Sequence, residues 1–369
     1  MSEPIRVAHI VGKMVGGGVE AAVMNYFRHI DRSQVQFDFI IDSDSTVVPS
    51  EEIKYFGGRL FEVPPYQQLG EYQKVLASLF EQHQWSIVHS HINTLSVFPL
   101  RIAKKLGVPV RIAHSHATMG KGETNRNMVK LALRPFANVY PTDCVACSRY
   151  AGEWLFGKNA DFTVIPNAVE LSKFRFDAST RATLRAKWGV GESCCVVGNL
   201  GRMESTKNQA FLIDAFAQMH AEHPDSILVI AGCGSLRESL ERKSLDMGLA
   251  DSVHFLGQIR DASRLYQGMD VFALPSLYEG FGMALLEAQA AGLPCVVSNR
   301  VSLEAVLTDS CTLVPLEDGA EAWAHALWTQ CIDNKRNDML DEAFERFDIE
   351  NASKRLESFY VRLFERSMR

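Results

Sequence analysis

The stretch Val271–Ser298, VFALPSLYEGFGMALLEAQAAGLPCVVS, decides how the rest of the chain is read. Its apolar run Val271 to Leu274 ends at Pro275, Met283 to Ala291 is rich in helix formers, and Gly292-Leu293-Pro294 stops that helix before another apolar run. Strand, loop, helix and strand are therefore expected in that order. Gly280 and Gly282 lack Cβ atoms, so the loop Leu277 to Gly282 can turn its backbone N–H groups onto an anion at the positive end of the helix. Glu279 and Glu287 would repel a bare phosphate. They make sense where cations neutralise the anion and the carboxylates face hydroxyl groups, as in a nucleotide-sugar: diphosphate on the loop amides, one acid on sugar hydroxyls, the other on the ribose diol.

The cations come from GRMESTKN, Gly201 to Asn208, which follows the strand Cys195 to Leu200 and supplies Arg202 and Lys207 from another strand of the same sheet. In the same half, Ile227 to Ala231 reads as a strand ending in Gly232-Cys233-Gly234, a turn into the helix Ser235 to Met247. Val253 to Leu256 is the next strand, and Gln258 and Ile259 follow it where main-chain groups could read a base edge.

The N-terminal half opens as a βαβ unit: strand Arg6 to Val11, glycine loop Gly12 to Gly18, helix Val19 to His29, strand Phe37 to Ile41. GGGVEA, Gly16 to Ala21, also satisfies the dinucleotide fingerprint, with Asp42 where a ribose-binding acid would sit, so an NAD oxidoreductase is a rival reading. The loop from Gly12 is longer than the usual tight turn, which weakens it. Asp42-Ser43-Asp44 could hold a divalent ion, but Ser and Thr crowd the loop and a metal there would leave the downstream Glu, Arg and Lys unexplained.

A polar and aromatic segment, Gly57 to Tyr72, leads to the helix Gln73 to His83 and the strand Ile87 to His91, and the helix Leu95 to Leu106 precedes the strand Val110 to Ala113. His89-Ser90-His91 and His114-Ser115-His116 each place two imidazoles on one face of a strand, where a metal is chemically possible. No carboxylate or supporting residue of a metallohydrolase accompanies them, so no metal is assigned. Val139 to Ser148 and Phe162 to Ile165 are the last strands expected in this half. Between Arg101 and Arg134 the cations Arg101, Lys104, Lys105, Arg111, Lys121, Arg126, Lys130 and Arg134 face only Glu123, either as a solvated helix face or as a docking face for anionic lipid.

Glu279-Gly280-Phe281-Gly282, four residues, then Glu287 resembles the acid-glycine-acid signature of the family-four retaining glycosyltransferases of GT-B fold. Arg202 and Lys207, Gly16-Gly17-Gly18 with Glu20, Pro166-Asn167 and Phe255-Leu256-Gly257 match as well, so the resemblance spans nearly the whole chain. Residues 16–42 are similar to the EpsF-like branch that builds exopolysaccharide and capsule. Ala168 departs from the Gly usual after Pro-Asn. The resemblance implies an α/β protein with two Rossmann-like doubly wound parallel sheets facing across a cleft: residues 1–170 on the acceptor side, 190–345 binding the nucleotide-sugar, and a helix in 346–369 crossing back. It implies transfer with retention, without metal or cofactor, from a nucleotide-sugar, read as a UDP-sugar, to a lipid-linked or oligosaccharide acceptor.

In that reading Arg202, Lys207, the Gly282 amide and the Gly16-Gly17 loop stabilise the departing diphosphate, with Phe281 and Met283 beside it. Glu279 holds the donor sugar and Glu287 the ribose. The family's histidine near the anomeric centre maps first to His116 and second to His114. A nucleotide-sugar epimerase of the same architecture is the alternative. A non-catalytic scaffold would have no need of the four charged residues together.

Composition agrees with this class. At about 150 residues per domain, 369 residues suggest two. No run reaches the roughly 18 apolar residues of a membrane span and the N-terminus lacks a signal's apolar core, so a cytoplasmic protein, peripheral at most on the membrane's inner face, is expected. A net charge of −6 argues against nucleic acid. Of the eight cysteines, Cys194, Cys195, Cys233, Cys295 and Cys311 sit in apolar surroundings and are expected as thiols in a reducing compartment, and Cys144-Val145-Ala146-Cys147 reads as a strand.

Overall fold

The computed structural model describes residues 3–116, 124–259, 261–279, 281–333, 336 and 342–369, with the side chains of 124–127 left aside. It forms two compact units. The first comprises the described residues up to 169 together with 346–369, the second those of 170–345.

In the first unit the strands β1 (Ile5–Gly12), β2 (Val35–Asp42), β3 (Arg59–Val63), β4 (Ile87–Ser90), β5 (Val110–Ser115), β6 (Asp143–Ala146) and β7 (Thr163–Val164) make one sheet in the order β3-β2-β1-β4-β5-β6-β7. Every pairing is parallel. Such a sheet is covered on both faces, which is why β2 is buried from end to end and its apolar residues run together. Side-chain alternation divides the core. Val7, Val11, Phe37, Phe39, Ile87 and Ile112 pack beneath helices Gly18–His29 and Ile349–Ser367, while Ala8, Ile10, Ile40 and Val88 pack with Tyr72 and Leu76 of Leu69–His83. The C-terminal helix is anchored by the bridge between Val169 and Asp348 and by its apolar stripe Leu356, Phe359, Tyr360 and Leu363.

The second unit contains β8 (Cys195–Leu200), β9 (Ser226–Ala231), β10 (Val253–Gly257), β11 (Val271–Leu274), β12 (Cys295–Ser298) and β13 (Cys311–Val314), all parallel, in the order β10-β9-β8-β11-β12-β13. In each sheet the strand order reverses beside the first strand, at β1/β4 and at β8/β11, which opens a crevice at the carboxyl ends of those strands. Both units are thus doubly wound α/β layers.

Three expectations need correction. Of Val139 to Ser148 only Asp143–Ala146 is strand, because Arg134–Phe136 is a helical turn and Pro141 precedes the first paired residue. Part of the polar segment after Gly57 is the edge strand β3, whose half-exposed residues hide the alternation that marks a strand. Cys195 is bonded to Cys331. Helix Gly319–Ile332 packs along β8 and brings together two sulfurs 136 residues apart, a proximity invisible in sequence. Ala168 is buried, and its carbonyl accepts from Asn25 Nδ2 at 3.0 Å. Among described residues the non-glycine positive φ angles belong to Gln84, Asn93 and Asn208, so alanine carries no strain at 168.

Candidate active site

In the second unit, loops leaving the carboxyl ends of four strands are tied by main-chain hydrogen bonds. Gly201 N donates to Ala231 O, Gly232 N to Gly257 O, and Met203 N to Cys233 O, joining the exits of β8, β9 and β10. A Cβ at Gly232 would lie 2.0 Å from Gly201 O, and one at Gly234 2.3 Å from Met203 O. These two glycines, read from sequence as a turn, are needed because loop backbones touch there. Across β8 and β11, Leu277 N donates to Thr206 O at 2.9 Å and Asn208 Nδ2 to Pro275 O at 3.2 Å.

That fastening unites residues 72 apart in sequence. Lys207 Nζ is ion-paired with Glu279 Oε2, and Ser276 Oγ donates to the same oxygen at 3.4 Å. The lysine side chain is 22% and the glutamate 15% exposed, so the pair is reachable but partly desolvated, which strengthens its field on a neighbouring charge. The Arg202 side chain, from the same loop as Lys207, is exposed and makes no ion pair among described residues. Gly282 has φ +81° and caps the helix Met283–Ala290; its carbonyl already accepts from Leu285 N at 2.9 Å and Leu286 N at 3.1 Å, so the helix's own bonds begin there and the amides of Met283 and Ala284 precede them. Phe281 is buried and Met283 half-buried. Gly280 lies outside the described residues.

Glu287, one turn further along that helix, accepts from Tyr266 Oη at 2.8 Å. Burial pushes its carboxyl up to about 7, with the tyrosine hydroxyl partly offsetting the shift. Gln258 and Ile259 follow the end of β10, the former exposed and the latter half-buried. Arg202, Lys207, Glu279, Phe281, Gly282, Met283, Glu287, Gln258 and Ile259 are therefore all carried at or just beyond the carboxyl ends of one sheet. Sequence reading missed Tyr266, Thr206 and Asn208. Tyr266 stands inside helix Ala262–Gln267 with no motif around it.

In the first unit Gly16, at φ +80°, and Gly17 open helix Gly18–His29. The Glu20 carboxylate takes the amide of Gly17 and, at 3.2 Å, that of Val15. A phosphate seeking those amides would displace Glu20.

His114 and His116 are buried at and just after the end of β5. Alternation puts His9, His89, His91, His114 and His116 on the face of Val7, Ile87 and Ile112, and register sets His9 beside His89. His116 Nε2 and His91 Nδ1 share a hydrogen bond at 2.9 Å, as do His91 Nε2 and His9 Nδ1. His114 Nδ1 meets His89 Nε2 at 3.0 Å, and His89 Nδ1 meets Tyr360 Oη at 2.7 Å. Burial pushes His9 and His116 down to about 3, with Asp38 and Asn167 respectively opposing it, and holds the other three well below the usual imidazole range. The rings are neutral at neutral pH. Two overlapping triplets, His9/His89/His91 and His91/His114/His116, have ligand atoms within 4.8 Å of one another.

Residues 16–173 match the family described as Glycosyltransferase Family 4, and residues 194–332 the family described as Glycosyl transferases group 1. The chain is 34% identical over 306 residues to a protein described as putative glycosyltransferase EpsF of Bacillus subtilis (strain 168), covering 80% of each. It is 30% identical over 312 residues to the UDP-Gal:alpha-D-GlcNAc-diphosphoundecaprenol alpha-1,3-galactosyltransferase of Escherichia coli, covering 80% of this chain and 79% of that one. Its fold is similar to that of Anabaena HepE, crystallised with UDP and glucose, at a TM-score of 0.81, 19% identity and coverage of 97% and 99%. WaaG, a glycosyltransferase of lipopolysaccharide biosynthesis, follows at a TM-score of 0.71, 16% identity and 98% coverage of both chains.

Proposed function

Because this chain belongs to the family 4, group 1 glycosyltransferases, we propose that it moves a hexosyl group from a UDP-sugar to a hydroxyl of a lipid-linked glycan, with retention of anomeric configuration. It is a GT-B enzyme, and the reading beyond that rests on one observation. The fastened loops of β8 and β11 hold Lys207, Glu279 and the Gly282 helix terminus together at the carboxyl ends of one sheet.

The chemical problem is charge. As the glycosidic bond lengthens, negative charge collects on the diphosphate while the anomeric carbon becomes cation-like. Lys207, Arg202 and the amides after Gly282 oppose the first, in surroundings where fixed charges act more strongly than in water. Glu279 keeps the Lys207 ammonium in place and has oxygens left for sugar hydroxyls. Glu287, steadied by Tyr266, accepts from the ribose diol, and main-chain groups of Gln258 and Ile259 contact the base. Fixed cations doing this work leave no step that needs a divalent ion. In the first unit, the Gly16-Gly17 loop and His116, with His114 behind it, are the proposed phosphate and sugar contacts.

Three findings support the finer parts. Crystals of HepE carry UDP or UDP-glucose, and the E. coli relative's name specifies UDP-Gal and a diphosphoundecaprenol acceptor. No described helix is long and apolar enough to cross a membrane. Helix Thr124–Leu133 exposes Met128, Val129 and Leu131 near Lys130 and Arg134, a surface suited to peripheral contact with an anionic bilayer. Lys121 and the Arg126 side chain of that basic stretch lie outside the described residues.

The test is incubation of purified protein with UDP-glucose or UDP-galactose and a diphosphoundecaprenol-linked sugar, with product anomer and UDP release followed together. Acceptor-dependent UDP release with an axial product supports the reading. Donor isomerised without acceptor would make the protein an epimerase, and binding of a nicotinamide cofactor with indifference to UDP would make it an oxidoreductase.

A further inference from the structure

We propose that the buried histidine cluster of the first unit is a binding site for a late first-row transition metal ion such as zinc, held by His91, His114 and His116. The inference gives His114 and His116 a role other than the sugar contact proposed above, so the two assignments of these rings compete, and its test uses no turnover.

Counting hydrogens motivates it. A neutral imidazole carries one N–H and one lone pair. His116, His91 and His9 are joined head to tail, so one end of that line always presents a lone pair and the other an N–H. Neither end, His116 Nδ1 nor His9 Nε2, makes a well-formed hydrogen bond among the described residues, the Asn167 side chain being the polar group closest in effect to His116. The second line, from Tyr360 through His89, ends at His114 Nε2, also without one. Buried polar atoms are nearly always paired, and of the three unpaired ring nitrogens around this cavity those of His114 and His116 can present lone pairs to a ligand while His9 keeps the N–H end of its line.

The geometry selects the set. Ligand atoms of His91, His114 and His116 lie within 4.8 Å of one another, and zinc–nitrogen bonds of about 2.0–2.1 Å bring tetrahedral nitrogens to roughly 3.4 Å by small side-chain rotations. This triplet includes two of the three unpaired nitrogens; His91, whose two nitrogens meet His116 and His9, joins the metal by giving up one of those hydrogen bonds. With the metal on His114 Nε2, Nδ1–H donates to His89 and His89 to the Tyr360 hydroxyl, the outer hydrogen bonds that orient metal-bound imidazoles. The cavity, about 20 Å³, has room for about one water as fourth ligand. Loss of that water's proton would lower the charge of a cavity with no carboxylate among its described lining residues. Imidazoles without carboxylates favour zinc, copper or nickel over magnesium or calcium.

Full-length protein freed of metal with a chelator is titrated with Co2+, then Zn2+, with Mg2+ as control. The expected result is the visible d–d absorption of four-coordinate cobalt, saturating at a single equivalent and bleached by zinc, without thiolate charge transfer. Zinc, but not magnesium, should raise the unfolding midpoint by several degrees. His114→Gln and His116→Gln should each abolish the absorption and the shift, while His223→Gln, outside the cluster, should keep both. If the cluster variants do not fold, X-ray absorption on zinc-loaded wild type decides, since three imidazole neighbours are required. Absence of the cobalt bands, a thiolate signature, fewer than three imidazoles, or undiminished binding by folded cluster variants would overturn the proposal.

Discussion

Donor affinity should depend on pH through Glu287. Its carboxyl is held up to about 7 by burial and accepts from Tyr266 Oη. Only the ionised group accepts from both hydroxyls of a ribose, so binding must first release the proton. Apparent affinity then scales with the ionised fraction: half its maximum near pH 7, and about one-eleventh near pH 6, a difference between the two of about 1.0 kcal/mol. A UDP-sugar suits the measurement because its diphosphate is esterified at both ends and does not titrate in this range. Calorimetry in buffers of different ionisation enthalpy should show a proton released on binding below neutrality and none well above it. Tyr266→Phe removes the hydroxyl that lowers the carboxyl's pKa and should move the profile to higher pH. Glu287→Gln should flatten it. Affinity independent of pH in the wild type, or proton uptake on binding, would refute the reasoning.

Other outcomes follow from the same geometry. Gly282→Ala forces a side chain onto φ +81° and puts its Cβ 3.0 Å from Glu279 Cγ, costing about 1–2 kcal/mol in backbone strain and lowering turnover. Gly248→Ala, at φ +73° with open space, should lose similar stability and keep activity, so equal turnover in the two variants would contradict the site. Asp270→Asn weakens a buried network with Arg181 Nη2 at 2.7 Å, Arg185 Nη1 at 2.9 Å and Val196 N at 2.8 Å, and should cost about 3–5 kcal/mol in chemical denaturation. Acid should destabilise the first unit. Its five buried histidines stay neutral when folded but take up protons when unfolded, so their contribution is present above about pH 6.5 and lost as pH falls, at up to about 1.4 kcal/mol per histidine per unit. Glu287 acts oppositely, its contribution being lost as pH rises from 4.5 to about 7, but it is one group against five. Denaturation midpoints from pH 7 to pH 5 would show the fall.

The parallel strands were legible because sheets covered on both faces demand unbroken apolar runs, as in β2, β8 and β9. The loop at 277–282 was legible through glycines that backbone geometry requires, and the neighbouring cations through the charge a phosphate would need. What stayed hidden depends on distance along the chain. Lys207 and Glu279 were each singled out, but their direct pairing, like that of Tyr266 with Glu287, arises only when strand order brings separate loops together. The two His-Ser-His triplets were visible, yet His9, the third member of the buried cluster's strand set, sits in a run read as plain apolar strand. Tyr360 reaches His89 from a helix 271 residues away. Edge strand β3 was missed because partial exposure erased its pattern.

The most direct test of the central claim is the turnover of Lys207→Ala with a matched UDP-sugar and acceptor, beside its affinity for the donor. Removing a fixed positive charge aimed at the developing diphosphate should lower kcat by roughly 100- to 1,000-fold while donor affinity changes far less, with Lys207→Arg recovering part of the rate. Turnover by Lys207→Ala within a few-fold of wild type would contradict the account.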